Sequence, residues 1–217
     1  MENRGGAMRV LRASLLCAAG MLVAGCEQMI TRPPPEKMHE CFTQLNAKFE
    51  QAYERILAKR GTRSFPIAPP VAFDTLLATL TRLGMIVEAR DRYTGTLTVA
   101  SPAPKPLSET EWQEVLQTDT PMMASVLCPC LGAYCTTLKF RPEDYVIVIN
   151  ATVLPGSRGG SQVSLTTRMR EIAPPPPGVP RRDYPPPTGV SMALDKIWGE
   201  FDQELAAENA PARRRTR

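Results

Sequence analysis

The chain has a single histidine, His39, among 217 residues. That scarcity excludes most imidazole chemistry. A Ser–His or Cys–His nucleophile needs its base held rigidly beside it. His39 stands at the start of the first amphipathic segment, where an exposed position is expected. Histidine-dependent metal sites are excluded on the same count. Aromatic residues make up only 6% of the chain, and no uncharged apolar run reaches the ~20 residues that a membrane-spanning helix requires. Net charge is also small, at +4, and three arginines and one glutamate in the first 25 residues account for half of it. Arg213, Arg214, Arg215 and Arg217 more than account for the rest, so the body is close to neutral and no nucleic-acid partner is expected.

Several sites are missing as well. The run Gly156-Ser157-Arg158-Gly159-Gly160 lies between two strand-like segments, so it reads as a hairpin turn rather than a phosphate cradle before a helix. Asp74, Glu88, Asp91, Glu109 and Glu111 are scattered and make no pair across a cleft. An envelope hydrolase using two carboxylates is therefore an alternative without positive signal. No cofactor and no resident metal are expected, and the protein is read as a non-enzyme.

What is present is concentrated at the N-terminus. Arg9 and Arg12 precede an apolar run over residues 13–24, too short to span a bilayer but suited to a secretory signal. The run ends in Val23-Ala24-Gly25-Cys26, which resembles the lipobox of bacterial lipoprotein precursors. That resemblance implies lipidation of the Cys26 thiol and cleavage just before it, which would leave the domain tethered in the periplasm. Glu27 follows the cysteine in place of the Asp that retains such proteins at the inner membrane in enteric bacteria, so the resemblance points to the outer membrane. The expected organisation is a signal peptide over 1–25, a lipidated Cys and Pro-rich tether over 26–37, one domain over 38–206 and a disordered basic tail over 207–217. Pro33-Pro34-Pro35 makes the tether a semi-rigid spacer.

The body alternates helical and strand periods. Met38, Phe42, Leu45, Phe49, Ala52 and Ile56 form one helical stripe that ends at Gly61. A loop over 62–70, a second helix from Val71 to Gly84 and a hairpin over 85–100 follow. Ser108-Glu109-Thr110-Glu111 forms a capping box before a short helix carrying Trp112, Val115 and Leu116. A second hairpin covers 145–172. A Pro-rich crossing over 174–187 then leads to a last helix with Val190, Leu194, Ile197, Trp198, Phe201 and Leu205 on one face. The expected fold is α+β: an antiparallel sheet of two hairpins with amphipathic helices packed on one face. The unit from Phe73 to Ala100, a helix followed by "LGMIVEARDRYTGTLTVA", resembles the repeat of BamC-like outer-membrane assembly lipoproteins, and this resemblance carries over no site residue.

Four cysteines remain once Cys17 and Cys26 are set aside: Cys41, Cys128, Cys130 and Cys135. In an oxidising compartment an even number implies two disulfides, and four cysteines permit three pairings. If 128 and 130 lie on one face of a strand, joining them makes a strained ring. Cys130–Cys135 with Cys41–Cys128 is then the favoured pairing. The alternative is a periplasmic thiol or soft-metal protein in which Cys128, Cys130 and Cys135, with Met122 and Met123, hold copper(I). The leading expectation is a lipid-anchored binding or assembly module with an envelope protein partner. Candidate partner surfaces are Arg168 and Arg170, on the outer face of the last strand, and Phe42, Leu45 and Phe49 on the first helix.

Overall fold

The computed structural model describes residues 31–214. The signal, the lipobox with Cys26 and the start of the tether lie outside the described residues. The described domain is α+β, and its sheet has five antiparallel strands rather than four.

The first helix, α1 (Pro35–Arg60), opens on a proline, whose missing N–H costs nothing at that position. Glu36 lies in its first turn and Lys59 and Arg60 in its last, both matching the helix dipole. Its buried stripe is Met38, Cys41, Phe42, Leu45, Phe49 and Tyr53. The expected loop that follows contains a short strand, β1 (Thr62–Phe65). It pairs with the start of the last strand, and the Leu165 N–H extends the ladder to the Gly61 carbonyl. Four residues between a glycine and a proline are too few to show a period of two. Next come α2 (Pro69–Arg82) and the hairpin of β2 (Ile86–Asp91) and β3 (Thr96–Pro102). The hairpin turn places Gly95 at φ +71°, where a side chain would strike the Val153 carbonyl.

The next helix, α3, corrects the sequence reading. Its N-terminus is the expected capping box: Ser108 Oγ accepts from the Glu111 N–H, and Glu111 Oε2 accepts from the Ser108 N–H at 2.6 Å. The helix, however, runs from Glu109 to Leu131, through Pro121 and Pro129. Each proline removes one ladder bond and costs roughly 3 kcal/mol in a helix interior. Tertiary contacts of the distal half offset this, as described below. After two 3₁₀ turns come β4 (Tyr145–Pro155) and β5 (Ser161–Glu171), and α4 (Pro187–Arg214) ends the domain. The sequence around 203–207, Gln-Glu-Leu-Ala-Ala, favours helix, and α4 continues through most of the segment expected to be a disordered tail.

Strand order is β1-β5-β4-β3-β2. One face carries Leu97, Val99, Ile147, Ile149, Val153, Val163, Leu165 and Met169 into the main core, where they meet Leu76 and Leu80 of α2 and Leu194, Ile197, Trp198 and Phe201 of α4. The buried Trp198 indole N–H donates to the Arg60 carbonyl at 2.8 Å, satisfying an orphan acceptor at the end of α1. At the other end of α4, Asp119 of α3 caps the helix. Its carboxylate accepts from the Thr188 N–H at 2.9 Å and the Thr188 hydroxyl at 2.7 Å.

Two disulfides are present, and their pairing differs from the favoured one. Cys41 pairs with Cys130, and Cys128 with Cys135. The reason is the extended α3. On a helix, residues 128 and 130 point about 200° apart, so Cys130 meets α1 while Cys128 meets the 3₁₀ turn Gly132–Thr137.

Closure of an 89-residue separation removes more unfolded-chain entropy than closure of seven; the chain-entropy model gives about 4.6 against 2.5 kcal/mol. Chemical denaturation should therefore show Cys41→Ala/Cys130→Ala to be less stable than Cys128→Ala/Cys135→Ala. Burial raises the Asp119 carboxyl above its ordinary value, and the bonds from Thr188 only partly oppose this. The native state thus holds that proton more tightly than the unfolded chain, and the group's contribution to stability falls as pH rises through the raised value. Asp119→Asn should flatten that part of the pH–stability curve and keep the cap, whereas Asp119→Ala should cost about 1–2 kcal/mol.

Candidate binding site

A second apolar cluster lies apart from the sheet. Met38, Cys41, Phe42, Leu45 and Phe49 of α1 pack on Leu127 and Leu131 of α3, and no strand residue belongs to this cluster. Phe42 and Leu45 are 2% exposed and Phe49 is 1% exposed. The expectation that they form an open partner-binding surface is corrected: their stripe is the seat of the distal half of α3. Phe42 and Leu45 nevertheless line a pocket of about 450 Å³. Its other apolar walls include Leu116, Met123 and Leu127 of α3, with Leu138 and Phe140 beyond the 3₁₀ turn. Both disulfides join the elements that frame it, and Cys135 is part of the lining.

The rim is cationic, with Lys139, Arg141 and Arg182. The Pro-rich crossing delivers Arg182. That segment runs beside α1, where the Asn46 amide donates to the Arg181 carbonyl and the Tyr184 hydroxyl donates to Glu50. It also covers the outer edge of β5 through a Met169 N–H bond to the Asp183 carbonyl at 2.9 Å. The Arg182 guanidinium stacks 5.0 Å from the Phe42 ring centroid and 5.2 Å from that of Phe140. It donates to the Tyr145 hydroxyl at 3.1 Å, while its Nε is buried without a partner. Burial pushes the Tyr145 phenol up, so it stays neutral as an acceptor.

The outer sheet face differs from its expected bare positive charge. Ser164 bonds Thr62, the Thr98 hydroxyl donates to Asn150, and Arg170 pairs with Glu88 at 3.0 Å. Arg168 does not project into solvent. Its guanidinium lies 4.6 Å from the Tyr53 ring centroid and 4.3 Å from that of Tyr184. Asp74 pairs with Arg92, Asp91 accepts from the N–H groups of Tyr93 and Thr94, and Glu111 serves Ser108 and Lys196. Cys128, Cys130 and Cys135 are all in disulfides, which removes the thiolates that copper(I) would require. Among the described residues no group of three metal-ligating side chains comes together. His39 is exposed on α1.

No protein-family model, curated protein or solved structure matches the chain.

Lys139, Arg141 and Arg182 were not legible as a group. Lys139-Phe140-Arg141 sits in a stretch with no clear period, and Arg182 reaches the pocket only through the path of the Pro-rich crossing. The same packing separates the two arginines of β5. Replacing Arg168 with Ala should destabilise by about 1–3 kcal/mol through lost ring stacking and stem packing. The exposed Arg170–Glu88 pair should contribute at most about 1 kcal/mol. Thermal unfolding of the two single variants measures the difference.

Proposed function

We propose that the protein is a bacterial envelope lipoprotein, anchored through lipid on Cys26, whose domain acts in the periplasm as a non-enzymatic binding or assembly module. The outer membrane is the proposed destination. The observation that carries the binding part is the pocket between α1 and α3: apolar walls beneath a rim of Lys139, Arg141 and Arg182. A concave, mostly apolar site with a few polar groups is the usual form of a ligand-binding pocket, which supports this reading. The anchoring part rests on the order of charge, apolar run, small residues and Cys26 in the sequence. The two disulfides support an oxidising compartment. Two acyl chains or more would give stable attachment where one is marginal. An envelope protein partner remains part of the proposal, to be sought by in-cell crosslinking of the anchored chain.

Labelled palmitate should enter the wild-type protein, and Cys26→Ala should give an unlabelled form that leaves the membrane fraction or stays unprocessed. Label that persists in this variant would contradict the anchoring.

A further inference from the structure

We infer that the pocket between α1 and α3 binds a single hydrocarbon chain bearing an anionic head group, with the chain on the helices and the head at Arg182, Lys139 and Arg141. This rests on the binding reading of the site and names the class of ligand.

The walls select the chain. Phe42, Leu45, Leu116, Met123, Leu127 and Leu138 offer hydrocarbon and a flexible thioether, surfaces that adapt to an unbranched chain. Gln113 and Thr120 are the polar wall residues away from the rim, and the Thr120 hydroxyl already donates to the Leu116 carbonyl. Against these walls a sugar or nucleobase would leave more polar atoms without partners than a hydrocarbon chain would. A volume of about 450 Å³ falls in the lower part of the range for small-molecule sites, enough for one chain.

The rim selects the head. The three cations come from residues 139–141 and from Arg182, and the lining contains no acidic residue. Arg182 gives one N–H to Tyr145 and lies within the field of Glu171, and as a lining residue it keeps further guanidinium donors for a head group. A carboxylate or phosphate matches a guanidinium fork. Lys139 is exposed, with no ion pair among those found for the described residues. Arg141 shares its charge with Asp144 at 3.5 Å, but both side chains are more than half exposed. Such a pair holds its partners weakly and yields to a buried anion.

The test uses the full chain carrying Cys26→Ser, so that no acyl group at the anchor competes for the pocket. Dodecanoate, titrated calorimetrically below its micelle concentration, should bind at one per chain. Decanoate should bind about tenfold more weakly, as expected for two methylenes removed from an apolar wall. Dodecanol and the Lys139→Glu/Arg141→Glu variant should each lose about tenfold or more. Ala124→Trp, which fills the hollow from a half-exposed position on α3, should abolish binding while its melting curve stays in place. Lysophosphatidylglycerol binding more tightly than dodecanoate would identify a phospholipid as the source of the ligand, and the reverse order a free fatty acid. The inference is overturned if dodecanoate does not bind, if dodecanol binds equally, or if both variants bind as the wild type does. That result with palmitate still entering at Cys26 would remove the ligand class and leave the anchored module standing.

Discussion

The contact between the first half of α1 and the last half of α3, closed by Cys41–Cys130, is the constraint on which the site depends. Those segments contribute to a cluster of their own that holds only seven buried residues and no strand residue. A helix segment with two interior prolines has little intrinsic stability. The covalent bond removes much of the chain entropy that would otherwise oppose this docking. Cys128–Cys135 then folds the following turn back on the helix end, which brings Leu138 and Phe140 round to form a wall. These links set the helix end and the turn, while Phe140 also stacks on Tyr145 of β4 at 4.9 Å and so ties the pocket to the sheet.

The Pro-rich crossing provides the other half of the geometry. Proline restricts φ, so the segment loses less freedom on folding than an ordinary loop. Its carbonyls and side chains tie it to α1 and to the open edge of β5. The edge that β1 leaves uncovered is thereby blunted. This path places Tyr184 over Arg168 and Arg182 between Phe42 and Phe140. Two adjacent arginines thus part, with Arg181 exposed and Arg182 carried inward.

How much of this could be read from the sequence follows from period and punctuation. The second hairpin was legible because Val163, Leu165, Thr167 and Met169 alternate cleanly, and the start of α3 because a capping box is a local device. The stripe on α1 was legible as a stripe, but sequence does not say what covers it. Phe42, Leu45 and Phe49 therefore read as core first, with a partner surface as the alternative. The end of α3 was hidden because Pro121 and Pro129 signal a break that tertiary contacts override. The favoured disulfide pairing differs from the observed one for the same reason, because it rests on strand geometry at Cys128 and Cys130 where the chain is helical. Arg168 is legible as an outer-face residue of β5, but its contact with two tyrosines distant in sequence is not.

The segment over 122–137 is ordered by its crosslinks and its own small cluster rather than by the sheet. Hydrogen exchange of the full chain, read by mass spectrometry before and after reduction with dithiothreitol, tests this directly. Amides over 122–137 should lose most of their protection on reduction while those of β3, β4 and β5 keep theirs. Unchanged protection over 122–137, or a loss shared equally with the sheet, would contradict it.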